Sequence, residues 1–561
     1  MNPRLAHWKA FKDLDPTLKD QLESASDQEL QDAFYTDLEF GTAGMRGLLG
    51  AGPNRLNRYT IRKANLAFAR YLVKHTDAVK QGVAIAYDNR HMSKEFAVES
   101  ANVLAMHDIP AYVFTSLRPT PELSFAVRHL KCAGGIVITA SHNPKEYNGY
   151  KVYDEEGCQL IPELIDQVIA EIKAIPDELA ITVALTPTQE KLIKWIDIEV
   201  DEPYLKAVLG IQLRPNQDKS KVSFVFSPQH GTANLPVRDS LGQAGYHVIP
   251  VLSQCDPDPD FSNTKTPNPE EKAAYEAAIA LAKEHQATAV LSTDPDADRL
   301  GVAVRHHGDY VLLTGNQTGS ILIEYWLSTK QALGQLPKNP VIFNTVVTSD
   351  LGEKVAKVYG VETEKTLTGF KFIGDKIKTY QANGQKHFVF GYEESYGYLF
   401  EPFVRDKDAI QACLILAEAI TYYDALGKTL VDVLNGLYAR HGFHREEQVS
   451  LTLKGEEGTR RIKAILYHFR TSSIEAFAGI GVKVKEDYLT LKRSEGKTVK
   501  PLDFPPSDVI KYFLEDGSWI AIRPSGTEPK CKFYFCVVAD SKVAVDAKFE
   551  ALKAAVATHT Q

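Results

Sequence analysis

The chain has 561 residues, 44% apolar and 24% charged, with a formal net charge of −8. That length suits three to five domains at roughly 100 to 200 residues each, and the composition is that of ordinary soluble globular protein. Mixed signs throughout, with no Lys/Arg-rich run, argue against nucleic acid or an acidic membrane surface as the main partner and leave room for a small anionic substrate held by a few local cations.

Met1 to Asp20 is mixed polar and aromatic, without the apolar core of a signal peptide. No apolar run reaches spanning length, so the expected location is cytoplasmic. Cys132, Cys158, Cys255, Cys413, Cys531 and Cys536 are scattered with no C-x-x-C pair. Such spacing points to reduced structural thiols and away from a zinc site or a disulfide framework.

After a polar helical start, Phe40-Gly41-Thr42-Ala43-Gly44-Met45-Arg46-Gly47 is a glycine-rich turn carrying one arginine. Its glycines let backbone N–H groups crowd an anion and Arg46 adds charge, although a plain turn has the same composition. Alternation then predicts a helix over Ile61 to His75, a strand at Gly82 to Tyr87 and a helix near Ser93 to His107. A strand at Ala111 to Thr115, a helix at Pro121 to Leu130 and a strand at Gly135 to Ile138 follow, the last running into Thr139-Ala140-Ser141-His142-Asn143-Pro144. Strands alternating with helices of this length predict a parallel sheet with helices on its faces.

The charged stretch Glu190 to Ser220, with Pro203 and Pro215, reads as a boundary. A second cycle places strands at Lys221 to Phe226, His247 to Leu252 and Thr288 to Ser292, with a helix over Glu270 to Glu284. Its last strand delivers Asp294-Pro295-Asp296-Ala297-Asp298-Arg299, and a third cycle, Val341 to Phe390, delivers Gly391-Tyr392-Glu393-Glu394-Ser395-Tyr396-Gly397. A long helix is expected over Ala409 to Ala425. The last part changes to a hairpin turning at Glu515-Asp516-Gly517, a strand at Lys532 to Val538 and a terminal helix, an α+β unit. The expected domains are 1–205, 206–322, 323–440 and 441–561, three similar α/β domains followed by the α+β one.

Each unusual loop has a chemistry. A serine leaving a parallel strand points into the crevice where α/β sheets bind ligands, though Ser, His, Asn and Pro also suit an ordinary turn. Three aspartates at alternate positions repel by about 4 kcal/mol per pair at 4 Å and an effective dielectric of 20, which a hard cation such as Mg²⁺ relieves; a solvated acidic turn would need none. An EF-hand is excluded by Arg299 and Arg305 where its glycine and glutamate would stand. A phosphatase with an aspartate nucleophile would leave the Ser141 loop unexplained. Glu393 and Ser395 between Tyr392 and Tyr396 offer the acceptors, donor and aromatic faces that sugars need, or else a solvated strand end. Arg523-Pro524-Ser525-Gly526-Thr527-Glu528-Pro529, with Lys530 and Lys532 nearby, holds the inventory for gripping a phosphate.

TASHNP, DPDADR, GYEESYGY and RPSGTEP, in this order and one per domain, resemble the α-D-phosphohexomutase family over essentially the whole chain. FGTAGMRG and SHNPKEYNGYKVY resemble its phosphoglucomutase branch, which includes bacterial phosphoglucomutases and phosphopentomutase-like enzymes. The resemblance implies a heart-shaped protein of four domains around one cleft. In it Ser141 carries a phosphoryl group and joins Asp294, Asp296 and Asp298 around one Mg²⁺. Thr368, Gly369, Glu393 and Ser395 hold the sugar, and Arg523, Ser525, Gly526 and Thr527 hold the phosphate that is not reacting. Lys407 resembles a general acid/base, with Arg46, His142 and Arg299 lining the reacting centre.

The implied reaction interconverts glucose 1-phosphate and glucose 6-phosphate through phosphoserine and glucose 1,6-bisphosphate, which also re-primes the enzyme. Mannose or pentose phosphates are the alternative substrates of the same fold, and a catalytically silent sugar-phosphate-binding protein is the alternative class. Gln229 and His230 have no assignable role in this reading, and Pro295 stands where many relatives have glycine and would stiffen the metal loop. Oligomeric state, monomer or dimer, is not legible.

Overall fold

The computed structural model describes residues 2–41, 44–453, 455–524 and 530–560. They divide into two compact units, residues 1–315 with 337–340 and 369–429, and residues 316–336 with 341–368 and 430–561.

The first unit holds a seven-stranded sheet built from β1 (Phe40–Gly41), β2 (Gly44–Leu48), β3 (Val83–Tyr87), β4 (Ala111–Phe114), β5 (Gly134–Ile138), β6 (Tyr147–Tyr153) and β7 (Ile193–Ile196), in the order β1-β2-β6-β5-β3-β4-β7. Every residue of β3 and β5 is buried, as expected of strands covered on both faces, which read as unbroken apolar runs. The helix Arg58–His75 starts at Asn57, whose side chain accepts from the N–H groups of Tyr59 and Thr60, satisfying donors that the first turn leaves free. Its Ala64, Phe68 and Leu72 join Ile85, Val103 and Ile136 in one core. Each buried aliphatic of that size contributes about 1.5 to 3 kcal/mol, and truncating Ile136 to alanine would cost about 2 to 5 kcal/mol.

The second sheet of this unit comprises β8 (Ser223–Ser227), β9 (His247–Pro250), β10 (Ala289–Thr293), β11 (Leu300–His306) and β12 (Asp309–Leu313), in the order β12-β11-β10-β8-β9. Of the third cycle, β13 (Pro340–Thr345) pairs in parallel with β14 (Glu362–Thr366). In the first unit β15 (His387–Tyr392) pairs antiparallel with β16 (Tyr398–Leu399). The helix Ala409–Ala425 starts at Asp408, whose carboxylate accepts from the N–H groups of Ile410 and Gln411.

The second unit ends in a large antiparallel sheet formed by β17 (Phe443–Thr452), β18 (Ala476–Phe477), β19 (Ile480–Asp487), β20 (Lys492–Glu495), β21 (Thr498–Pro501), β22 (Ile510–Leu514), β23 (Trp519–Pro524) and β24 (Lys530–Ala539). β22 and β23 are the hairpin turning at 515–517, and the helices Gly455–Thr471 and Lys542–Thr558 supply Ile465, Phe469, Phe549 and Leu552 to its core.

Two expectations need correcting. The first two sheets are mixed: β5–β6, β6–β2, β10–β11 and β11–β12 are antiparallel. A short connection after a site loop can only fold the chain straight back, because a parallel neighbour requires a crossover of a dozen residues or more. The charged stretch Glu190 to Ser220 carries β7, which pairs in parallel with β4, and the helix Ile198–Leu209 with Pro203 inside it. The helix expected from Glu270 begins at Glu276 after a 3₁₀ turn, Lys272–Tyr275. Asn268 accepts from the N–H groups of Glu270 through its side chain and of Glu271 through its carbonyl, a local turn that competes with helix.

Candidate active site

β5 ends at Ile138 and the next turn holds Ser141 in the left-handed region at φ 52°. That conformation is uncommon for a residue with a Cβ. The Ser141 N–H donates to Thr139 Oγ1 at 2.8 Å, tying the turn to the strand it leaves. The Ser141 hydroxyl donates to Asp294 Oδ2 at 2.6 Å and lies 3.2 Å from His142 Nδ1. Residues 153 positions apart are thereby joined through the two atoms the chemistry concerns.

Asp294, Asp296 and Asp298 each offer an oxygen within 4.8 Å of the others, and all three are buried. Asp294 Oδ1 accepts from the N–H groups of Asp298 at 3.1 Å and Arg299 at 3.0 Å, which folds the loop so that alternate carboxylates converge. Asp296 Oδ2 accepts from Lys151 Nζ at 3.0 Å and from the Thr120 hydroxyl at 3.1 Å. Lys407 Nζ stands 3.0 Å from Asp298 Oδ2. Asp296 Oδ1 and Asp298 Oδ1 are buried and accept no hydrogen bond from the described residues. Unsatisfied carboxylate oxygens in such a place are costly, and hard oxygens converging with room for more ligands suit a divalent cation.

Burial, and after it the charges of Asp296 and Asp298, push the Asp294 carboxyl well above the ordinary carboxylate range. For Asp296 burial acts in the same sense, but Lys151 with the Asp294 hydrogen bond and Lys407 outweighs it and holds the group below that range. His142 falls far below its ordinary value, first through burial and then through Arg299 and Arg46, so the imidazole beside Ser141 is neutral. Burial would also discharge Lys407, yet Asp298 and Glu393 more than compensate and keep it a firm cation. Arg299 is held charged in the same way, chiefly by Glu270, with which it pairs directly. Arg46 donates to Asn143 Oδ1 at 3.0 Å.

The loop after β15 is fastened to the acidic loop by an isolated bridge between Arg299 and Gly397 and by the Leu300 N–H on Tyr396 O at 3.0 Å. Glu393 Oε1 accepts the Gly369 N–H at 2.9 Å, and Oε2 lies 3.8 Å from Lys407 Nζ. Burial raises the Glu393 carboxyl against the pull of Lys407. A Cβ at Gly397 would overlap the Cγ and Cδ of Lys407, so only glycine lets that side chain lie along the loop. Ser395 is half-buried on the same turn.

Ser141, His142, Arg46, Asp294, Asp296, Asp298, Arg299, Lys407, Glu393 and Gly369 all fall in the first unit. Thr368 and Arg523 fall in the second: the Thr368 hydroxyl is buried without a hydrogen bond to the described residues, and Arg523 is half-buried opposite Lys532 in the β23–β24 ladder. Ser525, Gly526 and Thr527 lie outside the described residues, as do Thr42 and Ala43 of the front glycine-rich turn. Sequence reasoning missed Lys151, which lies between Tyr150 and Val152 in a strand buried at six of its seven positions. It also missed Glu270 and Thr120, which no motif marks.

The chain matches the family described as phosphoglucomutase/phosphomannomutase in four parts: α/β/α domain I over residues 37–178, domain II over 202–308, domain III over 314–441 and the C-terminal domain over 480–553. A phosphoglucomutase of Staphylococcus aureus strain MRSA252 is 41% identical over 525 residues, 93% of either chain. Among solved structures, pp63/parafusin, a phosphoglucomutase from Paramecium in an open form, superposes with a TM-score of 0.68 at 20% identity, covering 94% of this chain and 96% of that one. A phosphoglucomutase/phosphomannomutase family protein from Burkholderia thailandensis gives 0.67 at 18% identity, covering 93% and 97%. Four domain matches in order and an extensive relative thus converge with the serine and carboxylate geometry, and the chain belongs to the α-D-phosphohexomutase family of phosphoryl-transferring isomerases.

Proposed function

We propose that the protein interconverts glucose 1-phosphate and glucose 6-phosphate by way of phosphoserine 141 and glucose 1,6-bisphosphate, with one Mg²⁺ held by Asp294, Asp296, Asp298 and the serine. The observation that carries this reading is the 2.6 Å approach of Ser141 Oγ to Asp294, within a buried trio that keeps two carboxylate oxygens unbonded among the described residues. Relatives named phosphoglucomutase support the choice of glucose.

In the forward half-reaction the bond between phosphorus and Ser141 Oγ breaks, a bond from phosphorus to the free sugar hydroxyl oxygen forms, and one proton moves from that hydroxyl to Oγ. His142 suits the carrier of that proton, being neutral and 3.2 Å from Oγ. The held cations Lys407 and Arg299, together with the Arg46 guanidinium, offset the charge that spreads over the phosphoryl oxygens, and such electrostatic stabilisation with positioning is most of what phosphoryl transfer asks of a protein. The divalent ion, when bound, adds Lewis-acid stabilisation of the same oxygens. Glu393, Ser395, Thr368 and Gly369 are the proposed sugar contacts. Arg523, Ser525, Gly526 and Thr527 are the proposed grip on the phosphate that stays, so the bisphosphate can turn round and return its other phosphoryl group to Ser141.

The test is turnover of glucose, mannose and pentose monophosphates side by side, with and without Mg²⁺ and glucose 1,6-bisphosphate, together with intact mass. Glucose phosphates should give the highest kcat/KM, and one phosphate should vanish in Ser141→Ala. Inorganic phosphate released in place of the isomer would refute the mutase reading; preference for another sugar would refute only the assignment to glucose.

A further inference from the structure

Tyr87-Asp88-Asn89-Arg90 leaves the first fully parallel strand, β3, and carries none of the reacting groups. Arg90 is nevertheless buried, and its guanidinium donates to four main-chain carbonyls of the Ser141 loop. Nη2 reaches Ser141 O and Asn143 O, while Nη1 reaches Pro144 O at 2.8 Å and Tyr147 O at 3.1 Å. Asp88 aims the fork: its Oδ2 lies 3.3 Å from Arg90 Nε, and its Oδ1 accepts from the Arg90 N–H at 3.0 Å and the Ser93 hydroxyl at 2.7 Å. A planar five-donor fork can serve several fixed acceptors at once, which an ammonium on a flexible stem cannot. One of those acceptors belongs to Ser141 itself, whose left-handed backbone needs support from its surroundings.

The opposite face of Arg90 lies over the Phe261 ring at 5.1 Å, and Asn89 Nδ2 donates to Asp258 O at 2.8 Å. The segment containing both residues is held by His230, whose Nδ1 donates to Asp256 O at 2.8 Å and whose Nε2 accepts the Asn263 N–H at 3.4 Å. Next to His230, Thr232 donates to Pro295 O through its N–H at 2.8 Å and its hydroxyl at 2.9 Å. A Cβ at Gly231 would collide with the Pro295 backbone, so this contact is as close as the two loops allow. A continuous chain of contacts therefore runs from the Ser141 carbonyl to the middle of the acidic loop. Both supports, Arg90 after β3 and His230 to Thr232 after β8, occupy the loop that leaves the first fully parallel strand of their repeat.

We propose that Arg90 is a positioning residue which, through Phe261 and the His230 to Thr232 loop, sets the distance between the nucleophile and the carboxylate trio. This gives His230 a role as scaffolding of the second loop. The inference rests on the mutase reading. Misplacing a reacting atom by about 1 Å costs about 10²-fold in rate, so Arg90→Lys should lower kcat by about 10²-fold while the KM for the preferred hexose phosphate stays within about twofold. Arg62→Lys, which alters a structural arginine bound to Glu99 and Ile181 O, serves as the control and should leave kcat near that of the unaltered protein. In Arg90→Ala, if it folds, millimolar guanidinium should restore part of the rate. Unchanged kcat in Arg90→Lys, or an equal fall in Arg62→Lys, overturns the positioning role alone. An unaltered protein that isomerises no hexose phosphate overturns this inference together with the reading beneath it.

Discussion

Loading the carboxylate trio with a divalent cation should expel a proton. The oxygens of Asp294, Asp296 and Asp298 lie within 4.8 Å of one another. Each pair of full charges therefore repels by about 3.5 kcal/mol or more at an effective dielectric near 20. Lys151 and Lys407 stand against Asp296 and Asp298, leaving Asp294, fully buried, to accommodate the excess by keeping its proton. The sign follows directly. A carboxyl whose value is raised in the folded, metal-free protein holds a proton across a window beginning at the ordinary carboxylate range, and a ligand oxygen must be bare, so binding within the window releases it. Apparent affinity then rises by up to tenfold per pH unit and levels off above the Asp294 value. Titration calorimetry with Mg²⁺ at mildly acidic pH, in two buffers of different ionisation enthalpy, reads the stoichiometry, expected to approach one proton per ion within the window and to fall as pH rises beyond it. Equal heats in both buffers, with an affinity that does not change with pH from the ordinary carboxylate range upward, would show that Asp294 is already ionised and refute the charge assignment.

Gly397→Ala should act on Lys407 and little else: the new methyl displaces the middle of the lysine chain from its rotamer, for about 1 kcal/mol of stability, and should lower kcat by about 10²-fold if Lys407 acts on the transferring phosphoryl. Near-normal turnover with Lys407 displaced would remove that residue from the mechanism. Asp408, buried beneath the Tyr204 hydroxyl, is pushed up to about 6 by burial against the hydrogen bonds of Gln411 and Tyr204. Because its folded value lies above the unfolded one, its contribution is fully present below the ordinary carboxylate value and is lost as pH rises to about 6, at most about 3 kcal/mol. Urea midpoints should therefore decline less between about pH 4 and 7 in Asp408→Asn than in the unaltered protein, and identical slopes would count against this assignment.

The strands that deliver the chemistry were legible because their signal is local. β5 and β10 are unbroken apolar runs stopped by polar residues, and alternation with helices implied neighbours of the same direction. The antiparallel returns were not legible, since direction depends on the length of a connection whose ends were unknown. The acidic trio was legible because alternate aspartates are odd in any context. Lys151 became identifiable only once β6 was seen to lie beside β5, bringing its ammonium 3.0 Å from Asp296 across 145 positions. Arg90 and His230 work through main-chain groups, which every residue possesses, so nothing in the partner segments marks them in advance. Glu270 pairs with Arg299 from just before a 3₁₀ turn where helix was expected.

The left-handed backbone of Ser141 has a consequence for which alcohol can serve there. Threonine offers the same oxygen and would form an equally good phosphate ester, yet its branched Cβ is least at ease in that torsional region. Between two hydroxyls of like reactivity, the curvature of the chain admits the unbranched one.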